Sequence, residues 1–217
     1  MTDSIATPFC IALSGGRIAG TFLSETTAQA KASPKLLEPV HFFWGDERCV
    51  APSDSQSNFA LARDLLFAPL GISGSQIHRV LGEAEPDLAA RQAASELAGV
   101  APSNAAGQPM LDLILLGMGE NGHVASLFPE EPETTLTDPA VYRPVTTVKP
   151  PPRRITLGYL AIAAARQVWV LASGLGKQQA LRESLSRQGR TPLAHVLKMR
   201  IQTRIFTDIP APAGKNW

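Results

Sequence analysis

LDLILLGMGENGHVASLFP, residues 111–129, runs from an apolar segment, interrupted only by Asp112, into a glycine-rich turn and then a histidine. A run such as LILLG lacks polar alternation, which suits a strand buried on both faces of a parallel sheet. The turn contains G-x-G-x-x-G at Gly117, Gly119 and Gly122, the spacing of dinucleotide-binding loops. Such a loop must open a helix and be followed by a second strand, with an acidic residue about 20 positions on. Pro129 and Pro132 leave room for little more than a turn or two of helix. Asp138 sits near the required distance but in TTLTDP, which is no buried strand. The dinucleotide reading therefore fails, and no Walker phosphate loop is present. What remains is a polar trio, Glu120, Asn121 and His123, in a turn at the carboxyl end of a strand. Ligands of open α/β sheets bind at that edge, where a histidine can serve as general base near neutral pH.

Outward from this strand, short apolar runs alternate with longer amphipathic ones. Strands are predicted at 8–14, 41–45, 77–81, 111–117, 142–148, 168–173 and 203–208, and helices at 17–30, 57–67, 86–97, 176–187 and 192–199. Ser57 is placed to cap its helix and Pro86 to occupy a first helical turn. The alternation predicts an α/β fold, a mostly parallel sheet flanked by helices, with no boundary that divides residues 1–217 into domains. The proline-punctuated stretch 128–154 reads as a long surface connection, of the kind that is often functional.

Lys and Arg number 20 against 19 Asp and Glu, a balance that argues against a general nucleic-acid or membrane-surface binder. A compact anion needs only a local basic cluster. No apolar stretch reaches the roughly 18 residues of a membrane span. MTDSIATPFC lacks a secretion signal, so a cytoplasmic location is expected. Cys10 reads as a small buried hydrophobe, and Cys10 and Cys49 form no redox or metal motif. The four histidines, at 41, 78, 123 and 195, are too dispersed for a short metal-ligand spacing, so no metal is expected.

Three further segments place polar groups at strand ends. ALSGG offers the backbone N–H groups of Ser14, Gly15 and Gly16 at a helix start, a natural phosphate cradle. FFWGDERCV puts Asp46, Glu47 and Arg48 after an aromatic strand, with the guanidinium suited to phosphate or carboxylate. GLGKQQAL sets Lys177 where a strand passes into a helix, a position that opposes the helix dipole and favours an anionic partner.

Taken together, ALSGG, FFWGDERCV with SN at 57–58, DLILLGMGENGHVASLFP, PPPRRITL and GLGKQQAL resemble the glucosamine-6-phosphate isomerase/6-phosphogluconolactonase family, on its lactonase side. The resemblance implies hydrolysis of 6-phospho-D-glucono-1,5-lactone to 6-phospho-D-gluconate in the oxidative pentose phosphate pathway. It also implies a fold shared with glucosamine-6-phosphate and ribose-5-phosphate isomerases, and no cofactor. On this reading Ser14, Gly15, Gly16, Arg48 and Lys177 hold the phosphate, and Asp46 lies among the substrate-binding residues. His123 activates water, with Asn121 beside it, and N–H groups around Gly119 meet the oxyanion. The partner is a small sugar-phosphate lactone, and the chain is expected as a monomer or weak homo-oligomer.

Three departures from the family pattern carry expectations. SGGRIA replaces SGGSTP, which predicts rearranged phosphate contacts with Arg17 supplying charge. Asn121 stands where G-x-D-G-H has Asp, which predicts a smaller rise in the base's pKa. The first strand arrives early, which predicts a partly uncovered sheet. Two alternatives stay open: a glucosamine-6-phosphate deaminase/isomerase and a non-catalytic sugar-phosphate binder. D-E-R rather than D-E-Y, and ASLFP rather than an F-N-E-P-like continuation, favour the lactonase over the deaminase.

Overall fold

The computed structural model describes residues 8–210; the N-terminal leader reading falls largely on residues outside that span. In chain order the elements are β1 (Phe9–Leu13), α1 (Arg17–Ala30), β2 (Val40–Trp44), β3 (Asp46–Arg48), α2 (Asn58–Ala62), α3 (Ala68–Leu70), α4 (Pro86–Val100) and β4 (Leu113–Gly117). Then follow β5 (Tyr142–Thr146), β6 (Arg153–Leu157), α5 (Tyr159–Ala164), β7 (Gln167–Ala172), α6 (Gln178–Ser184), α7 (Pro192–Lys198) and β8 (Arg204–Thr207). The five strands β2-β1-β4-β7-β8 form one sheet, parallel throughout. β4 is central, and Ile114 and Leu116 are fully buried, as an apolar run without alternation requires. The strand order reverses between β1 and β4, so their carboxyl ends diverge and leave a crevice there.

A second, antiparallel sheet, β3-β6-β5, was not foreseen as a separate unit. The chain crosses between sheets at Gly45, whose N–H donates to Leu13 of the first sheet while its carbonyl accepts from Leu157 of the second. The Tyr142 hydroxyl bonds the Trp44 carbonyl at 2.7 Å and fastens the sheets together. β5 matches the strand expected at 142–148, whereas β6 comes from residues read only as part of a connection. Pro144 is accommodated because β5 is an edge strand, where a missing N–H costs no ladder bond. Leu116, Trp44, Ile155, Leu157 and Ile162 belong to one continuous apolar core that serves both sheets.

Most predicted elements lie within a few residues of their observed bounds. Ser57 Oγ accepts from Ala60 N–H at 3.2 Å, and Pro86 opens α4, as read. The strand expected at 77–81 is absent. Ile77 makes one bridge to Phe42, after which the chain closes a tight turn from Gly82 N–H to Val80 O. The helix expected over 57–67 is present and runs without a gap from Asn58 to Leu70, with a π-helical turn at Arg63–Phe67 between α2 and α3. Phe9 on β1 and Phe206 on β8 are 39% and 47% exposed.

Candidate active site

A cleft of about 410 Å³ opens at the crevice between β1 and β4. Its floor is the carboxyl ends of β1, β4 and β7, and its far wall is the antiparallel sheet. Ser14, Gly15, Gly16, Arg17, Asp46, Arg48, Gly119, His123 and Lys177 all line it, so nine of the ten residues singled out from sequence converge there. Asn121 stands one layer back, behind His123.

The turn after β4 is a compact hairpin, not the start of a helix. Met118 and Val124 bridge across it, and Gly119 N–H donates to the His123 carbonyl at 2.9 Å. That bond commits the Gly119 amide within the turn, so among the loop N–H groups expected around this glycine its own is not free for an oxyanion. Glycine is required there for another reason. A Cβ at 119 would lie 1.9 Å from His123 Cε1, so the imidazole occupies the space the glycine leaves. Gly122, at φ +77°, abuts Thr191, and its carbonyl accepts from Leu193 N–H at 3.1 Å, which docks the turn on the start of α7.

His123 Nδ1 lies 2.5 Å from Asn121 Oδ1, which also receives the His123 backbone N–H at 3.3 Å. An amide oxygen only accepts, so the ring proton sits on Nδ1 and the lone pair on Nε2. The ring leans on Phe128, with centroids 5.0 Å apart. Burial lowers the His123 pKa to about 4, helped by Lys149, Arg154, Lys177 and Arg48. The imidazole is therefore neutral at physiological pH, and the group that meets its Nδ1 is an amide rather than a carboxylate.

The opposite rim is the phosphate-cradle sequence. The Ser14 hydroxyl donates to Leu115 O at 2.5 Å, so its proton ties β1 to β4. Gly15 is forced by Asn58, whose Oδ1 would lie 1.8 Å from any Cβ there. Gly16, at φ +93°, turns the chain into α1, whose first turn has neither a side-chain cap nor an acidic residue. Its free N–H groups and Arg17 together make a positive rim. Lys177 stands near Arg17, and burial first and then Arg17 lower its pKa. Asp208 takes the Ser173 hydroxyl at 2.8 Å and the Gly174 N–H at 3.0 Å, which fixes the adjoining loop.

The wall opposite is built on buried acids. Glu47 accepts from the N–H groups of Arg48, Asn58 and Phe59 and from the Ser57 hydroxyl, at 2.7–3.0 Å. Burial pushes its carboxyl pKa up, while those backbone donors pull it down. Asp46 takes the Ser126 hydroxyl at 2.6 Å. Arg154 lines the cleft as well, only 6% exposed. Nothing local in PPPRRITL marks this arginine as a site residue, because the preceding prolines mask the strand that carries it. His41 and His78, 2.9 Å apart, form a separate pair at the other end of β2. Among the described residues no cluster of three metal-ligating side chains exists.

Parallel sheet, switch-point cleft, neutral histidine and cationic lining define an α/β protein with a site for a small anionic metabolite. The family model described as glucosamine-6-phosphate isomerases/6-phosphogluconolactonase matches residues 2–205, and the chain belongs to that family. It is similar to a 6-phosphogluconolactonase of Mycobacterium tuberculosis, 40% identical over 177 residues, covering 79% of this chain and 70% of that one. A 6-phosphogluconolactonase of Streptomyces coelicolor is 35% identical over 185 residues, covering 82% and 71%. The solved 6-phosphogluconolactonase of Trypanosoma brucei superposes with a TM-score of 0.80 at 26% identity, covering 92% of this chain and 83% of that one.

Proposed function

We propose that this chain hydrolyses 6-phospho-D-glucono-1,5-lactone to 6-phospho-D-gluconate in the cytoplasm. The observation that carries the reading is His123, held by Asn121 with Nε2 as its free base, in a cleft lined by cations. Relatives that bear the lactonase name supply the substrate class.

The N–H groups of Ser14, Gly15 and Gly16, the start of α1, Arg17 and Lys177 hold the phosphate. Its arrival offsets the cations that depress His123, so the imidazole becomes more basic when substrate is bound. Nε2 then takes a proton from water as the water oxygen bonds C1. The tetrahedral intermediate breaks its C1–ring-oxygen bond, and the imidazolium returns the proton to that oxygen. The acid so formed ionises. Every group in this scheme comes from one chain, so it needs no partner subunit.

Freshly generated lactone added to purified protein tests the reading. Acid release well above the spontaneous rate is expected. Release of ammonia from glucosamine 6-phosphate without lactone turnover would overturn the lactonase reading in favour of the deaminase.

A further inference from the structure

The cleft carries more positive charge than one phosphate requires. Arg17, Arg48, Arg154 and Lys177 line it against a single carboxylate, Asp46. None of these four cations forms an ion pair among the described residues. They also fall into two groups on different scaffolds. Arg17 begins α1 and Lys177 precedes α6, both at the carboxyl edge of the parallel sheet. Arg48 on β3 and Arg154 on β6 are direct cross-strand partners in the antiparallel sheet.

Like charges placed directly opposite in an antiparallel pair repel and destabilise the sheet. Burial aggravates this, since Arg154 is 6% exposed. Burial first and then Arg48 lower the Arg154 pKa. Its immediate partners are neutral: the carbonyls of Pro151, Lys149 and Pro150 at 3.1–3.5 Å brace Nε and Nη2. The buried Nε of Arg48 has no partner at all. Arg143 on neighbouring β5 shows what a structural arginine looks like in this sheet. It is 9% exposed and held by Glu131 in two bonds of 2.7 and 2.9 Å. The Arg48–Arg154 pair has no such acid and faces the cleft. His123 and Arg154 flank the same Phe128 ring, at 5.0 and 5.7 Å, so the arginine pair stands on the histidine's side of the cleft.

We infer that the cleft has two anion subsites, and that the cross-strand pair Arg48–Arg154 receives the C1 end of the substrate. There the pair meets the lactone carbonyl oxygen as it gains charge, and afterwards the carboxylate of the product. Arg17, Lys177 and the Ser14–Gly16 amides keep the phosphate. This moves Arg48 from the phosphate, where its sequence motif suggested it, to the reacting carbon. It also adds two cationic donors to the oxyanion role, from which the committed Gly119 amide is withdrawn. The inference rests on the lactonase reading of the cleft, and it makes the enzyme a selective binder of its own ionised product.

Titration calorimetry with 6-phosphogluconate and glucitol 6-phosphate tests it, because the two differ only in a carboxylate or a CH2OH at C1. The wild type is expected to bind 6-phosphogluconate roughly tenfold or more tightly than glucitol 6-phosphate, the range of charged hydrogen bonds. Arg154→Gln and Arg48→Gln should erase that preference and leave glucitol 6-phosphate affinity unchanged. Arg17→Ser should weaken both ligands in the same proportion. Should Arg154→Gln fail to fold, Arg48→Gln, at a less buried position, makes the same comparison. Equal weakening of both ligands by the arginine variants, or equal wild-type affinity for both, overturns the two-subsite assignment. Failure of the wild type to bind either compound, with no lactone turnover, overturns the underlying reading instead.

Discussion

Replacing Asn121 by Asp puts a carboxylate where an amide oxygen now touches His123 Nδ1 at 2.5 Å. The imidazolium gains an opposite charge at contact distance, while the neutral ring keeps the same hydrogen bond. An adjacent opposite charge shifts a pKa by about 1–3 units toward the charged form. Starting from about 4, a shift of about 2 brings the base to about 6 in the free enzyme. A protonated imidazole cannot accept a proton from water, so a raised pKa moves the loss of activity to higher pH. At pH 5 the wild type would keep about nine-tenths of its active form and the variant about one-tenth, a fall of about tenfold. The assay is kcat/KM for the lactone between pH 4 and 8, because that ratio reports the free enzyme. An acid limb that stays put or moves downward would refute the pairing of Asn121 with the base.

Other expectations follow from contacts in the same region. Gly119→Ala drives a methyl group into the imidazole, so kcat should fall by about 10²-fold, in keeping with misplacing a catalytic group, while thermal unfolding changes little. Glu47→Gln sets an NH2 against donors that now meet carboxylate oxygens, and chemical denaturation should show a loss of about 2–4 kcal/mol. Arg17→Ser should raise KM for the lactone with little change in kcat, and the difference from wild type should shrink as salt rises.

The parallel sheet was legible because its strands are simple apolar runs. LILLG fills the central position, and its carboxyl end presents the glycine turn. The site was legible because its residues follow strand ends, which the topology gathers at one edge. The antiparallel sheet was not. β3 is only three residues, Asp46–Arg48, all polar, so no hydrophobic period marks it. β5 matches the strand predicted at 142–148, but β6 follows a run of prolines, and its pairing with β3 and β5 leaves no local pattern. The same blindness hid Arg154, since only the register shows that it stands opposite Arg48. Gly119's own amide is withdrawn from the expected oxyanion contact for a related reason. A glycine reads as an open amide, but here the missing side chain makes room for the histidine ring.

His123, as the base that activates water, carries the reaction. Initial rates of acid release from fresh lactone, corrected for spontaneous opening, compare the wild type with His123→Ala across substrate concentrations. A fall in kcat of about 10²- to 10⁴-fold, the usual contribution of a general base, with KM nearly unchanged, is the predicted result. A variant that turns over lactone at the wild-type kcat would contradict it.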